Sequence, residues 1–304
     1  MNTNMPTSDV QFSWNLLFDF QQIFTYHFMQ NAFLAGMLVA LIAGSVGYFM
    51  VLRSQSFAGH TLAHVGFAGA AGAVLFGMSP GVGLLFSCLV AAIGIGLLGG
   101  RGAQTSWTHG IAIGTIQTFS LGLGILFLQL SHSYTENVYA ILFGAVLGIS
   151  DQDVRLIILT TIVALAGLIA IARPLLFSSI DPDVADARGL PVQFLDYAFL
   201  VLLAFAVAQS VQVVGVLMIF GLLVTPAAIA QQVTARPVIA VGLSILLALF
   251  FTWTGLAVSY FTPYPVGFFI TGLAFGTYIL VRLFRVLYTI FLRRRWFKGQ
   301  GVLG

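Results

Sequence analysis

Charge is what this 304-residue chain has least of: 7% of its residues are Asp, Glu, Lys or Arg, against about a quarter in soluble proteins. It holds one lysine, Lys298, and one glutamate, Glu136. A phosphate-binding Walker loop needs a Gly-Lys-[Ser/Thr] step, and Lys298 follows Phe297, so that loop is excluded. No His-Glu-x-x-His or Gly-x-Ser-x-Gly motif occurs, and five histidines are too few for a membrane metalloenzyme built on several histidine boxes. An enzyme is therefore not expected. The single cysteine, Cys88, excludes an intramolecular disulfide and lies in an apolar run, where it reads as a small core residue. A basic n-region is missing from the N-terminus, so a cleavable signal peptide is not expected. The basic residues are scattered between apolar runs and then clustered near the C-terminus, a pattern that orients a membrane protein and implies no nucleic-acid partner.

What the chain has in abundance is apolar surface: 59% hydrophobic residues and a mean hydropathy of +1.02. Windows of about 20 apolar residues recur, each long enough to cross a hydrocarbon core as a helix. A transmembrane β-barrel would show short alternating segments, which are absent. The expected fold is all-α, a polytopic helix bundle in membrane lipid. About nine spans are predicted, near 31–52, 57–78, 82–99, 110–130, 154–172, 194–210, 213–233, 238–260 and 266–287. Residues 1–30 read as an interfacial segment, 31–290 as one membrane domain, and 291–304 as a basic cytoplasmic tail. The apolar stretch 138–150 is too short to cross and is predicted to be an outer or re-entrant helix. Pro226 is expected to kink the seventh span, and Gln209 to Gln212 to separate the sixth from the seventh.

Arg53 is the first basic residue, and eleven of the twelve basic residues fall on one side of this layout, with Arg155 the exception. By the positive-inside rule the N-terminus lies outside and the C-terminus in the cytoplasm. Between the fifth and sixth spans, Asp181 is placed to cap a helix, Pro182 to open it, Asp183 to sit in its first turn, Arg188 in its last, and Gly189 to stop it. A two-turn helix on the inner face follows.

Two histidines four residues apart, His60 and His64, stand in the inner half of the second span. On a helix that spacing puts both imidazoles on one face, about 6 Å apart along the axis, where they can share a metal ion. A single histidine in such a place is as readily a hydrogen-bonding group between helices. Two together in so apolar a chain point to a pathway. Gln117 and Ser120 in the fourth span are candidates for its lining, although a glutamine there more often joins helices. Small residues at spacing four, Gly59/Ala63, Ala68/Gly72 and Gly110/Gly114, predict close helix approach.

The run Phe57-Ala58-Gly59-His60-Thr61-Leu62-Ala63-His64 resembles the Gly-Asp-Ala-Leu-Ser-His signature of the zinc/manganese/iron permease subunits of ABC importers. Leu142–Ser150 is similar to that family's Leu-Phe-Gly-Ser-Ile-Leu segment, and Asp181–Leu190 to its Asp-Pro-Glu … Ala-Leu-Gly element. Val213–Leu217 and Leu222–Ala228 look like its seventh-span pattern. The matches occur in order across about residues 31–285.

The resemblance implies a permease in the cell membrane of a prokaryote, working as a homodimer or pseudo-dimer. It also implies two cytosolic ATPase subunits, which alone use ATP, and an external solute-binding protein that delivers the metal. No cofactor is bound permanently; a divalent transition metal is the transported substrate. Asp181, Asp183, Ala185, Asp186, Arg188, Gly189 and Leu190 fall in its coupling helix, which docks on the ATPase. His64 matches the family's histidine, whereas His60 stands where the family has aspartate. Two imidazoles without a carboxylate shift preference towards zinc, or towards iron, copper or nickel, and away from manganese. A stand-alone proton-coupled transporter with a histidine relay, and an ABC permease for a chelated metal, are the alternatives.

Overall fold

The computed structural model describes residues 26–98, 106–131, 141–144, 148–262 and 264–300. Among them the secondary structure is helical throughout. Eight long helices are α1 (His27–Leu52), α2 (Ser56–Leu75), α3 (Pro80–Leu98), α4 (Ser106–Leu130), α5 (Asp151–Ile180), α7 (Val192–Val214), α10 (Pro237–Tyr260) and α11 (Val266–Gln300). Three short ones are α6 (Pro182–Ala187), α8 (Ile219–Leu223) and α9 (Thr225–Val233). All the long helices except α2 are apolar enough over 18 residues to cross a membrane by length and composition. At 20 residues α2 spans about 30 Å, and its two histidines and four glycines account for its lower hydropathy.

Polar contacts define the two ends of the bundle. At one end His27 Nε2 and Asn31 Nδ2 reach Asp151 Oδ1 at 3.0 and 2.6 Å, and the Tyr26 ring meets the Tyr260 ring at 6.4 Å. At the other, Arg53 bonds Ser178, Ser179 and Asp196. Hence α1 and α5 run in one direction while α7 and α10 return. Helices α1, α2 and α7 are the most enclosed, and Phe67, Phe199, Phe251, Met29 and Ile42 lie in the core around them. Helices α4 and α11 present most of their surface outward. In the apolar interior Gln209 is satisfied within the chain, its amide donating to Thr160 Oγ1 at 2.6 Å and accepting from Thr161 Oγ1 at 2.9 Å. Cys88 is fully buried, with its thiol on the Leu62 carbonyl at 3.3 Å.

The seventh crossing is broken at Val224, just before Thr225-Pro226 as expected, and also at Gly215, where no break was expected. Helix α7 continues through Gln209 and Gln212 to Val214, so those residues lie inside a helix and separate nothing. The chain then breaks at Gly215, whose φ of +83° is open to glycine without penalty. Its backbone meets the 141–144 segment: Val216 and Leu217 donate to the carbonyls of Ile141 and Leu142, both at 3.3 Å. From there the chain passes Gly267 and Thr271 of α11, then Gly47 of α1, and Gln231 donates to the Tyr48 carbonyl at 3.0 Å. It thus goes from the first end to the second as the non-helical turn 215–218, α8 and α9. Pro226 is the second residue of α9, next to the one-residue break at Val224 that separates α9 from α8, and there its missing N–H is of no consequence.

Three further boundaries move. Helix α1 begins at His27, four residues before the predicted span and inside the segment expected to be interfacial; residues 1–25 lie outside the described residues. Helix α5 runs straight through Arg173-Pro174 to Ile180, because a proline removes one backbone donor and the rest of the ladder persists. Helix α11 continues to Gln300, so the basic stretch from 291 prolongs the last helix. Its 35 residues amount to about 52 Å, more than a bilayer core needs. Of the 138–150 segment, residues 138–140 and 145–147 lie outside the described residues, as does the 132–137 loop with His132 and Glu136. The described part holds one helical turn at 141–143.

Close approach is real on α2 and α1 and absent on part of α4. A Cβ on Gly72 would stand 3.3 Å from the Phe127 ring, and one on Gly44 would stand 2.6 Å from the Ile245 Cα of α10. On Gly114 it would meet nothing within 4 Å among the described residues, so there that glycine makes no contact of the expected kind. Gly44→Ala is therefore expected to destabilise the detergent-purified protein by roughly 1–3 kcal/mol, because helix backbone must move. Gly114→Ala should leave stability unchanged or raise it by up to about 1 kcal/mol through helix propensity. Thermal unfolding of the two variants beside the wild type checks both; equal losses would contradict the packing argument.

Candidate metal pathway and coupling helix

His60 and His64 lie one and two turns into α2, about 6 and 12 Å from its start at Ser56. The helix carries them at the end of the bundle marked by Arg53, and the small neighbours Gly59 and Ala63 let α2 sit close to its surroundings. A Cβ on Gly59 would come within 2.7 Å of Met50 Sδ on α1. His64 is 7% exposed and His60 half-buried.

The spacing places both rings on one face, and the structure brings their Nε2 atoms to 3.2 Å, with ring centroids 4.6 Å apart and planes at 85°. Two imidazoles bound to one tetrahedral ion at about 2.05 Å stand roughly 3.3 Å apart, nitrogen to nitrogen. The same two atoms can therefore share a proton or share a cation with almost no rearrangement. Both Nδ1 atoms are buried and lack a hydrogen-bond partner among the described residues. Ligand histidines ordinarily donate that N–H to a carboxylate or carbonyl, which orients the ring and raises its basicity. This pair lacks that support. Among the described residues no group of three or more His, Cys, Asp or Glu side chains converges, so one chain offers two donors here and leaves the rest of a coordination sphere to other sources.

Phe220 of α8 packs its ring edge-on against His60, 5.0 Å between centroids. Sequence reasoning did not single it out, because a phenylalanine among 28 carries no signal until the broken crossing delivers it to the histidines. Gln117 is not brought to the pair. Its Oε1 accepts from Thr61 Oγ1 at 3.2 Å, joining α4 to α2 at the neighbouring helical position. Thr61 also donates to the Phe57 carbonyl at 3.1 Å. Ser120 is buried one turn further along α4. The structure thus places Gln117 as a link between helices, and among the described residues no hydrogen bond joins Gln117 or Ser120 to the imidazoles.

The second site forms at the same end. Asp181 Oδ1 accepts from the Val184 N–H at 3.0 Å, Pro182 is the first residue of α6, and Asp183 lies in its first turn. The helix is six residues long, shorter than two turns, so Arg188 falls just past it and Gly189, at φ +79°, ends it. The Leu190 N–H then returns to the Ala185 carbonyl at 3.1 Å. Ala185 is fully buried against the chain itself, whereas Asp181, Asp183, Asp186, Arg188 and Gly189 are exposed and Leu190 is partly so. Arg188 lies over the Phe177 ring at 5.3 Å, tying α6 back to α5. Helix α6 thus presents an exposed face with acidic residues and is anchored by one buried alanine.

Beside α6, Arg53 and Asp196 form an ion pair that sequence reading did not assemble. Burial lowers the Arg53 pKa, and the charge and hydrogen bond of Asp196 oppose that shift. The signal available was slight: Asp196 is the only acidic residue C-terminal to the 181–186 group, and nothing in the sequence pairs it with a residue 143 positions away.

Comparison with known proteins places these features in a family. The sequence profile described as the ABC 3 transport family matches residues 25–285. The manganese transport system membrane protein MntC of Halalkalibacterium halodurans is 32% identical over 223 residues, 73% of this chain and 75% of its own. The manganese import system permease protein ScaB of Streptococcus parasanguinis is 33% identical, covering 67% of this chain and 72% of its own. The solved structure of PsaBC from Streptococcus pneumoniae in complex with Fab aligns with a TM-score of 0.78 at 28% identity, over 88% of this chain and 95% of that one. An inward-facing conformation of a putative metal-chelate type ABC transporter shares the fold, with a TM-score of 0.68 at 15% identity. The chain belongs to the ABC 3 transport family of metal-ion ABC permeases.

Proposed function

We propose that this chain is the permease subunit of an ABC importer and passes a divalent transition metal across the membrane, with His60 and His64 holding the ion in transit. The observation that carries this reading is the pair of buried Nε2 atoms at 3.2 Å, a separation that suits one shared ion. The unpartnered Nδ1 atoms suit a passing site: without outer support the imidazoles bind less tightly, and a permease must release what it binds. Two donors per chain also fit a dimer of this chain, in which a two-fold axis near α2 would complete the sphere with a second pair. The family membership leaves no role for a stand-alone proton-coupled transporter.

Two cargoes compete. The names of the relatives MntC and ScaB support manganese. The donor set supports zinc: an imidazole pair is borderline-soft, and His60 removes the hard carboxylate oxygen that manganese favours. On the chemistry of the site itself zinc is the reading adopted. ATP is used by separate cytosolic ATPase subunits, which dock on α6 through Asp183, Asp186 and the surface near Arg188. A solute-binding protein delivers the ion at the end of the bundle that carries Tyr26 and Asp151. That end faces outward, and the C-terminal end of α11 faces the cytoplasm, in accord with the placement of the basic residues.

Uptake of labelled zinc and labelled manganese by cells expressing the whole transporter tests the metal assignment. His60→Ala and His64→Ala should each lower zinc uptake roughly tenfold or more, as loss of a ligand does. His60→Asp should move preference toward manganese. Undiminished zinc uptake by both alanine variants would remove the histidines from the pathway, and manganese uptake exceeding zinc in the wild type would settle the cargo against zinc. For the docking surface, Asp183→Arg is expected to abolish co-purification of the ATPase while leaving the fold and the ratio of zinc to manganese bound by the permease unchanged. Normal co-purification would place the ATPase contact elsewhere.

A further inference from the structure

Arg53 sits between the two sites just described. It follows α1, precedes α2 by three positions and His60 by seven. Its side chain is 9% exposed although the end of the bundle is near. The guanidinium donates to Ser178 Oγ at 3.3 Å and Ser179 Oγ at 3.0 Å in the last turn of α5, and to Asp196 early in α7, and it lies over the Phe199 ring at 5.6 Å. Helix α6 hangs between precisely those two helices in the chain: α5 ends at Ile180 and α7 begins at Val192. One side chain therefore clamps both roots of α6 to the turn that leads into the histidine pair.

That turn is stiff. Ser54 stands at φ +56°, the sole non-glycine residue with positive φ among the described residues, a conformation that persists only where its surroundings impose it. Arg53 caps α1 with its own N–H on the Phe49 carbonyl at 2.9 Å. Displacement of α6 cannot reach His60 through a slack loop here, because the link consists of a planar guanidinium fork, a strained turn and one turn of α2.

We propose that Arg53 is a positioning residue that carries movement of α6 to His60 and His64, so that the state of the ATPase sets the geometry of the metal pair. The proposal rests on the reading that α6 receives the ATPase and adds the route by which that contact is felt at the metal. The Arg53 guanidinium is buried while the Asp196 side chain is 43% exposed, so separation would strand the cation without its counter-charge, and the clamp favours whole arrangements over a stretched one. Arg53 Nε is buried and has no hydrogen-bond partner among the described residues, which leaves one donor of the fork available to a second arrangement. A cavity of about 290 Å³ lined by Ser54, Gln55, Gln193 and Asp196 gives the turn room to take it.

The test is made on the full transporter in lipid vesicles, comparing ATP hydrolysis with and without zinc-loaded solute-binding protein. Arg53→Gln should still co-purify with the ATPase and hydrolyse ATP at the basal rate, while the ratio of stimulated to basal hydrolysis falls roughly tenfold, within the range of site-to-site couplings. Asp196→Asn should lower the ratio in the same direction, and Arg53→Lys, which keeps the charge but not the fork, should fall between. A purely structural role would lower both rates together and leave the ratio intact. An unchanged ratio in assembled Arg53→Gln overturns the proposal, and so does failure of both Arg53→Gln and Asp196→Asn to assemble. Retention of the ATPase by Asp183→Arg would instead overturn docking at α6, a result the Arg53 ratio does not touch.

Discussion

In a hydrocarbon environment a polar group has no water to turn to, so each one inside the bundle must find a partner in the chain or remain as a deliberate exception. The interior of this protein follows that constraint closely. Gln209 is closed by Thr160 and Thr161, Gln117 by Thr61, Cys88 by a carbonyl, and Arg53 by two serines and an aspartate. Eight buried side-chain atoms among the described residues lack a partner, and three of them belong to the sites described above, Nδ1 of His60, Nδ1 of His64 and Nε of Arg53; the others lie on Gln55, Ser131, Ser210, Ser244 and Tyr260. Unsatisfied groups in a low-dielectric interior are where a passing ion, or a change of arrangement, has something to gain.

The backbone obeys the same rule where the fold is most irregular among the described residues. Helix hydrogen bonds satisfy every crossing except the seventh, where the chain leaves the helix at Gly215 and its N–H groups at Val216 and Leu217 must be met from outside. The carbonyls of Ile141 and Leu142 meet them. Broken backbone at membrane depth is tolerated where it is buried in protein, as it is here. The break is also what turns Phe220 toward His60, so the departure from regular structure and the histidine pair occupy one neighbourhood.

Much was legible in the sequence because the membrane converts composition into structure. Runs of 20 apolar residues can only be helices, and the punctuation Asp181, Pro182 and Gly189 acts locally, through a side-chain cap, a ring and a positive φ. The histidine pair was legible for the same reason: spacing four on a helix is a local property. Boundaries were less so. Pro174 does not end α5 and Gln209 does not end α7, since a proline costs a helix one bond and a glutamine with two threonine partners costs it nothing. Gly114 looked like a contact and faces open space, because spacing says which residues share a face and not what lies opposite.

The sequence by itself determined an all-helical membrane bundle, the order of its crossings, the two imidazoles on one face of α2 and the capped helix between α5 and α7. These depend on hydropathy, period and capping, all short-range. Only the tertiary structure decided that the two Nε2 atoms stand 3.2 Å apart with their outer nitrogens unpaired, that Phe220 covers one of them, and that Arg53 reaches Asp196 across 143 residues. Such contacts depend on how helices pack, and packing is set by the shapes of many side chains together, which no local pattern contains.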